Sequence, residues 1–491
     1  MDTLTDILST NPQYASLVPF WELVDCCYSG SELIKRFERF LPIQRNELKE
    51  MDAIADKRRS QYEMRKRLAT YENFFKPTID DIVGIMQKNP PKIRFGVEDS
   101  NESPPEVSDI EFFGNQYNDG LKGLKWRLNF NQTLFGRYGL LLDIRTDTEG
   151  LKPRFCISEY PAAKILDGEV YTDPRTGSES LRWILLNETT LKFDASSKRW
   201  SVFPQLRVLG VDSNRMYYQS VLSGDSCYSD WNDFDFSNPN PMCTVYPKFK
   251  QNPLDFIPFT VCNVNRLGIT EWQEPPYMDV AQVAISCYQV DSIYKRALSN
   301  HASPTLVVSN AQATDKDLFL GDVIQIKSAA NQKTEVSILE TSGAGLAEMR
   351  AAKDSLKESL KYSSIRDLLD GAGASSSGEA IQLRTASGTA VIASIDNAGA
   401  RAIEEQLVFA AIWAGATQDE AGERIAYDAD TSYLTNDFQL QSVVNLLKEN
   451  YASQTLSNQN LYSVLEKTLP GVLSSFEDNE IQKISESEET L

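Results

Sequence analysis

The order of elements between Pro276 and Gly415 constrains this chain more than any other feature. Apolar residues at helical spacing predict a long helix from Tyr277 to Asn300, and a strand-rich segment follows from Pro304 to Glu340. The same spacing predicts a second long helix from Gly345 to Leu369 and a third from Glu379 to about Ala414. Two helices that leave a body, carry a small β-module at their far end and return form a stalk rather than an enzyme pocket. The sequence therefore predicts a role in assembly.

A loop built only from small residues follows Asp370. It consists of Gly371, Ala372, Gly373, Ala374, Ser375, Ser376, Ser377 and Gly378. The loop lacks the lysine of a phosphate-binding loop, and it follows a helix rather than a strand. Two interpretations stay open: a flexible connector, or a mobile loop whose small side chains let the backbone approach a large object closely.

Four basic residues are predicted to lie on one side of the second helix. Arg350, Lys353, Lys357 and Lys361 recur at helical spacing, with Asp354 on a neighbouring side. This pattern is compatible with a solvated face of ion pairs, with ion pairs between subunits, or with a cationic surface that faces DNA.

The overall charge restricts the partners. The 491-residue chain has a net charge of −20, which argues against tight wrapping of nucleic acid because that requires clustered Lys and Arg. It does not argue against a surface that nucleic acid passes without sticking. Seven irregularly spaced cysteines predict reduced thiols, and the absence of a long apolar run predicts a soluble intracellular chain without membrane contact.

Catalytic constellations are scarce. The single histidine, His301, makes His-based metal sites and Ser-His-Asp catalysis untenable. Asp80 and Asp81 point to different helix faces, and Asp143 with Asp147 is predicted to lie in a solvated turn. We therefore expect no enzymatic activity, no metal and no cofactor. A carboxylate-based hydrolase with a helical lid, or another intracellular assembly protein such as a scaffold or shell protein, remains an alternative.

The remaining chain divides into a helical part up to about residue 135 and a β-rich part over 136–273. The helical part is predicted to include a long polar helix from Asn46 to Phe75. In the β-rich part, Asp167 and Gly168 indicate a turn between strands.

Five stretches, in this order along the chain, resemble the portal proteins of tailed bacteriophages, the head-to-tail connectors. They are Tyr62–Thr78, similar to an N-terminal helical region; Phe135–Asp143, similar to a wing strand; Pro275–Val308, similar to the stem-to-clip passage; Ser377–Leu383, similar to the start of the long wing helix; and Asn436–Phe438, similar to the entry to the crown.

The resemblance implies an α+β, mainly helical portal fold in which two long stem helices flank a small β-rich clip. The implied parts are a wing (1–273), a stem helix (274–300), the clip (301–342), a second stem helix (343–369), a tunnel loop (370–378), a long wing helix with a return strand (379–436), and a crown with an acidic tail (437–491).

The resemblance also implies a function. Such a chain forms a ring, usually of twelve subunits, at one capsid vertex, and the ring is the channel for genome packaging and ejection. Double-stranded DNA passes it without sequence specificity, against the tunnel loop Gly371–Gly378. Expected partners are the terminase large subunit, adaptor, head-completion or tail proteins, and the major capsid or scaffold protein. Assembly in the host cytoplasm would place the chain in the virion. The expected partner-binding residues of the clip are Pro304, Leu306, Val308, Leu318, Phe319, Val323 and Ile324.

Overall fold

A computed structural model of the chain describes residues 11–44, 47, 62–95, 107, 109–113, 115, 117, 119–145, 153–172, 179–194, 198–223, 234–264, 272–302, 305–309, 324–326, 335–339, 344–363 and 378–429. Over these residues the protein is a mixed α+β protein, as the sequence predicts.

The helices occupy both ends of the described chain. In chain order they are α1 (Pro12–Ser29), α2 (Ser31–Ile34), α3 (62–68), α4 (Phe75–Met86), α5 (Ile110–Phe113), α6 (Gly120–Phe135), α7 (Met278–Ala302), α8 (Ala344–Ser363), α9 (Gly378–Ala414) and α10 (Gln418–Arg424). Two short 3-10 helices span Glu38–Phe40 and Ala162–Lys164.

The strands lie mainly between α6 and α7. They are β1 (Lys92–Phe95), β2 (Arg137–Arg145), β3 (Arg154–Pro161), β4 (Ile165–Thr172), β5 (Glu179–Asn187), β6 (Thr190–Asp194), β7 (Arg199–Phe203), β8 (Gln205–Val211), β9 (Tyr217–Ser223), β10 (Thr244–Val245), β11 (Phe259–Asn263), β12 (Thr305–Ser309), β13 (Ile324–Ile326), β14 (Glu335–Leu339) and β15 (Ile425–Asp428).

Two antiparallel sheets form the body. One has the strand order β11-β2-β3, and the other has the order β10-β9-β8-β5-β4. Strands β6 and β7 form a separate hairpin in the connection between β5 and β8. Strand β1 pairs with β15, so that Lys92 lies opposite Asp428 and the segment after α4 is joined to the last described strand.

A third small sheet lies between α7 and α8 in the chain. Its central strand β12 runs parallel to β13 and antiparallel to β14. The helix–sheet–helix order that the hydrophobic spacing predicts for this region is therefore confirmed.

Strand β2 lies at the centre of the largest core because both of its faces are covered. Leu140, Leu141 and Leu142 are all fully buried, as a continuous apolar run predicts. The adjacent Gly139 has no side chain because Phe259 of β11 occupies that space: a Cβ atom at position 139 would lie 2.5 Å from the Phe259 ring. This core also takes in α6 and the C-terminal half of α9.

Two further cores join the helices to this body. The second one packs α1, α4 and the first half of α7 around Val24, Phe75, Ile79 and Tyr288. The third packs the other face of α1 on the five-stranded sheet, with Trp21 and Tyr14 against Leu206 and Tyr218. Helix α1 thus bridges the strands and the helices. Its start is fixed by Asn11, whose side chain accepts hydrogen bonds from the backbone of Gln13 and Tyr14.

A buried polar layer lies where α6 crosses α9. The Lys125 Nζ atom lies 3.0 Å from Asp396 Oδ1, and both side chains are almost inaccessible to solvent. Asn129 donates a hydrogen bond to the same carboxylate at 2.8 Å. The crossing is close because Gly399 faces α6: a Cβ atom at position 399 would lie 2.4 Å from Asn129 Oδ1 and 2.6 Å from Leu128 Cδ2.

Two local predictions are wrong. The helix predicted from Asn46 to Phe75 is interrupted, since residues 69–74 are not helical between α3 and α4. The backbone N–H of Thr70 donates instead to the carboxylate of Asp291 on α7, a tertiary contact that a continuous helix would forbid. Asp167 and Gly168 form no turn between strands, because they lie within β4 at an irregular step of its pairing with β5.

The crossing of α6 and α9 generates a prediction. Gly399→Ala will destabilise the fold by about 1–3 kcal/mol, because the added methyl group overlaps Asn129 and Leu128. Gly84→Ala in α4 is the matched control, since nothing lies within 4 Å of its Cβ position. We expect the control to stabilise the fold by about 0.5–1 kcal/mol through helix propensity. Urea unfolding of the two variants measures both values, and a stabilising Gly399→Ala would contradict the close approach.

Candidate functional site

Helices α7 and α8 pack side by side, and only part of the pair is held by the body. The first half of α7 is buried, with Ala281, Ala284 and Tyr288 in the second core. Its second half exposes Ile293 and Leu298. At 25 residues, α7 has a length of roughly 37 Å. In α8, Leu360 is the one fully buried side chain up to that position. Beyond the buried half of α7, the two helices therefore pack mainly on each other rather than on the body.

A buried carboxylate holds the two helices together. Asp291 on α7 has a side chain that is 1% exposed. It accepts hydrogen bonds from the Lys353 ammonium group on α8 and from the backbone N–H of Thr70, the latter at 2.9 Å. Lys295, one turn along α7, lies 3.1 Å from Asp291 Oδ2, the oxygen that the Thr70 N–H also contacts, whereas Lys353 contacts Oδ1. Three elements thus meet at one carboxyl group.

Glu72 adds a second connection from the same segment to α8. Its two carboxylate oxygens lie 3.1 Å from Lys353 Nζ and 2.7 Å from Lys357 Nζ. Lys353 therefore lies between two carboxylates, Asp291 and Glu72.

A neighbouring ion-pair group anchors α7 to α3. The Glu47 carboxylate is buried and is held by Arg65, through contacts of 2.9 and 2.8 Å, and by Arg296 at 2.7 Å. Arg65 also donates to the Ser292 hydroxyl at 3.2 Å. We call the residues Glu47, Arg65, Thr70, Glu72, Asp291, Ser292, Lys295, Arg296, Lys353 and Lys357 the root cluster.

The surroundings of the three carboxylates and of Lys353 in the root cluster shift their pKa values. Burial by itself raises the pKa values of Glu47, Glu72 and Asp291, but hydrogen bonds and the nearby cationic groups outweigh it, so all three pKa values are lowered. Burial likewise opposes a charged Lys353, yet its two carboxylate partners raise its pKa. These shifts favour the charged forms of the three carboxyl groups and of Lys353.

The basic stripe predicted on α8 divides into two kinds of residue. Lys353 and Lys357 belong to the root cluster and pair within one chain. Arg350 is 75% exposed and lies 3.9 Å from Asp354. Helix α8 includes position 361, but the side chain of Lys361 lies outside the described part. Ion pairing on this face was one of the predicted alternatives. The segment before α4 supplies the partner Glu72, which the sequence did not reveal.

The predicted clip and loop residues are described only in part. Leu306 and Val308 lie on β12, and Ile324 lies on β13 beside Val307 in register. Pro304, Leu318, Phe319 and Val323 lie outside the described residues, and so does the loop 371–377. Gly378 is the first residue of α9.

The carboxylates considered for catalysis have structural partners. Asp80 accepts a hydrogen bond from the Tyr28 hydroxyl at 2.8 Å. Asp143 lies within β2, 3.5 Å from Arg207, so the prediction of a solvated turn is wrong for it. Asp147 lies outside the described residues. In the described part of the chain, no group of three or more His, Cys, Asp and Glu side chains could hold a metal ion.

Among the cysteines that the structure describes, the thiols follow the sequence prediction with one exception. Cys26, Cys27, Cys156, Cys262 and Cys287 are free and buried. Cys243 is disulfide-bonded, so the prediction of reduced thiols is wrong for that residue.

A groove that the sequence did not indicate lies between β11 and α9. Its volume is about 700 Å³. Thr260, Val261, Cys262 and Asn263 of β11 form one wall, and α9 forms the other with the following residues: Ala398, Arg401, Ala402, Glu404, Glu405, Val408, Phe409 and Ile412. Burial, together with repulsion from Asp428, raises the pKa of Glu404. No local motif marks this groove, because it forms only when the helix lies along the strand.

None of the helices among the described residues is long and apolar enough to cross a membrane.

The sequence model of a protein family described as a domain of unknown function (DUF4055) matches residues 276–414. The match spans the passage from α7 through the small sheet and α8 into α9, so the chain is similar to that family over the helix pair. A search of curated proteins finds no match to this chain.

The root cluster generates a prediction for stability. Lys353→Met will destabilise the fold by about 3 kcal/mol, because it leaves the buried Asp291 carboxylate short of its closest partner. Arg350→Met on the same helix is the control, and we expect a change within about 0.5 kcal/mol because its ion pair is exposed. Guanidinium unfolding followed by circular dichroism measures both. Equal effects of the two substitutions would contradict the asymmetry of the stripe.

The same carboxylate predicts a pH dependence. A lowered folded pKa means that Asp291 stabilises the fold above its ordinary pKa of 3.8, and that this contribution is lost as the pH falls through the folded value. The difference in unfolding free energy between wild type and Asp291→Asn will therefore be largest above about pH 5 and will shrink below it. Asp354→Asn, at an exposed position on α8, is the control for the removal of one negative charge from the helix pair. A difference for Asp291→Asn that stays constant down to pH 2.5 or so would count against the ionised cluster.

Proposed function

We propose that this chain is a portal protein of a tailed bacteriophage, which forms a ring at one capsid vertex. The observation that carries the proposal is the helix pair: α7 and α8 flank a three-stranded module and are rooted in an α+β body by buried ion pairs. In this proposal α7 and α8 are the stem, the small sheet is the clip, and the sheets of the body with α6 and α9 form the wing.

The exposed surface of the helix pair supports a ring. Once α8 lies on α7, Ile293 and Leu298 still face outward, and α8 itself is mostly exposed. Copies that stand side by side around an axis bury such surfaces against each other, which a single copy cannot do. All contacts of the root cluster lie within one chain. The cluster therefore orients the stem helices of each copy before the copies assemble.

The net charge of the chain supports a channel that does not bind the DNA passing through it tightly. A net charge of −20 disfavours the replacement of many DNA counterions and so argues against tight binding of the duplex. Two of the four basic residues of α8 are neutralised by carboxylates within the same chain. The Gly-Ala-Ser loop at 371–378, whose last residue is the first of α9, is the proposed contact with DNA as it passes.

The remaining roles follow from the same proposal. The clip would meet the terminase large subunit during packaging and adaptor, head-completion or tail proteins afterwards. The outer body would meet the major capsid or scaffold protein, and the ring would end in the virion after assembly in the host cytoplasm. Neither a catalytic residue nor a cofactor has a part in this function.

The proposal predicts one result for assembly and another for packaging. Purified protein will appear as closed rings with a central hole in negatively stained electron micrographs. A variant that lacks Gly371–Ser377 will form the same rings, because the missing loop faces the channel, but will package no DNA in an assay with terminase and empty shells. Deleting part of the acidic tail, residues 485–491, is a length-matched control that should leave packaging unchanged.

Two outcomes would contradict the proposal. If light scattering shows that the wild-type protein stays a monomer at high concentration, the proposal of a ring is contradicted. Normal packaging by the loop-deletion variant would remove the role of the loop while leaving the ring in place.

A further inference from the structure

The hairpin formed by β6 and β7 is an amphipathic ribbon that stands apart from the sheets. It leaves the five-stranded sheet after Asn187 and returns to it at Gln205. Among the described elements, its strands pack closely only on each other. Such a two-stranded ribbon is marginally stable alone, so its apolar side chains require a surface to cover them.

One face of the hairpin is apolar and exposed. The register places Leu191 opposite Val202 and Phe193 opposite Trp200, so all four side chains share one face. They are 64%, 56%, 51% and 69% exposed, respectively. The Phe193 and Trp200 rings lie 5.5 Å apart, so the face is already ordered as one cluster. A contiguous apolar face of this kind marks an interaction site.

The opposite face and the turn make the hairpin basic. Residues 190–203 contain three basic residues and one acidic residue, in a chain whose net charge is −20. Lys192 lies over the Phe203 ring at 3.6 Å, on the face away from Trp200. The hairpin therefore combines one apolar face with a net positive charge.

The β11–α9 groove has the complementary properties. Its floor and walls include Val261, Val408, Phe409 and Ile412, and Glu404 and Glu405 outnumber Arg401 on α9. Strand β11 is at the edge of its described sheet, and four consecutive residues of it line the groove. An edge strand beside an apolar wall is a surface onto which a further strand can be added.

We propose that the apolar face of the β6–β7 hairpin of one copy docks in the β11–α9 groove of the next copy. The occupant is a second copy of this chain because each chain has both complementary surfaces and none of its described residues covers either of them. The net positive charge of the hairpin favours its approach to the acidic groove, and the apolar faces meet each other. This inference rests on the proposed ring.

The contact is head-to-tail, which has a geometric consequence. A hairpin and a groove are different surfaces. An open series of copies therefore has a free hairpin at one end and a free groove at the other, and both are filled only when the series closes. Such heterologous contacts produce a ring where the rotation between copies closes, and they do not stop at a pair. The hairpin–groove contact would thus supply, in the body, the closed arrangement that the stem helices require.

A nucleic-acid ligand fits the hairpin less well. Aromatic residues with basic neighbours on a ribbon can stack on unpaired bases. Here, however, Leu191 and Val202 share the face with the two rings, and aliphatic side chains offer no stacking surface. The proposal therefore commits to a protein surface, and binding of single-stranded DNA becomes one outcome of the test.

The test uses full-length variants that each damage one side of the contact. The hairpin variant is Phe193→Asp with Trp200→Asp, and the groove variant is Glu404→Lys with Glu405→Lys. Each alone is expected to raise the protein concentration needed for rings by about thirtyfold or more. Light scattering will then give the mass of one chain, 55.2 kDa, under conditions in which wild type forms rings.

A mixture of the two variants tests whether the contact joins the hairpin of one copy to the groove of another. The groove variant retains a sound hairpin, and the hairpin variant retains a sound groove. One productive contact can form between them and cannot propagate. The mixture is therefore expected to give twice the mass of one chain and no rings, whereas neither variant alone dimerises.

Matched controls distinguish an effect of the hairpin and groove surfaces from an effect of the changed charge alone. Met242→Asp with Val245→Asp places the same charges at apolar residues that are 86% and 65% exposed outside the hairpin. Glu63→Lys with Glu423→Lys reverses two exposed charges outside the groove. Both controls should form rings at the wild-type concentration. Circular dichroism and thermal unfolding verify that all variants are folded, and a second groove variant, Val408→Asp, replaces the first if that one is unfolded.

The outcomes distinguish this inference from the proposed function. Rings formed by the hairpin variant at the wild-type concentration overturn the contact and leave the portal proposal intact. If that variant forms rings but loses affinity for an oligothymidine in fluorescence anisotropy, the hairpin is a nucleic-acid surface and the contact is likewise overturned. Wild-type protein that never forms rings overturns both. A double-mass complex only in the mixture supports the contact.

Discussion

The carboxylate of Asp291 is the constraint on which the orientation of the helix pair depends. Helix α8 buries too few apolar side chains to hold a fixed angle against α7 by packing alone. The buried charge of Asp291 must be matched, and Lys353 of α8 and the Thr70 backbone match it from two directions. Directional contacts of this kind select one arrangement of the helices, where apolar contacts would tolerate several.

This constraint also explains an irregularity in the N-terminal region. The chain leaves the helical conformation between α3 and α4, where a continuous helix would satisfy its backbone locally. By doing so it places the Thr70 N–H and the Glu72 carboxylate beside the root of the helix pair. The loss of local hydrogen bonds is offset by charged contacts in a buried setting, where they are stronger than at the surface.

A similar use of polar groups recurs between α6 and α9. There the Lys125–Asp396 pair and Asn129 define how the long helix lies across the body, and Gly399 allows the close approach. The position of α9 in turn creates the groove along β11. Buried ion pairs at two crossings therefore determine the two surfaces to which we assign assembly: the exposed helix pair and the groove.

The sequence by itself determined the element order: periodicity is local, so the helices of 276–414, the buried run of β2 and the small sheet between α7 and α8 could be predicted. It also indicated the charged face of α8. Only the tertiary structure decided which partners that face meets, since Asp291 and Glu72 lie 62 and 281 positions away from Lys353 and Lys353 reaches them only after folding. The interruption at residues 69–74, the place of Asp143 in a strand and the groove share this origin. Each results from contacts between distant segments, whose free energy outweighs local preference and leaves no local pattern.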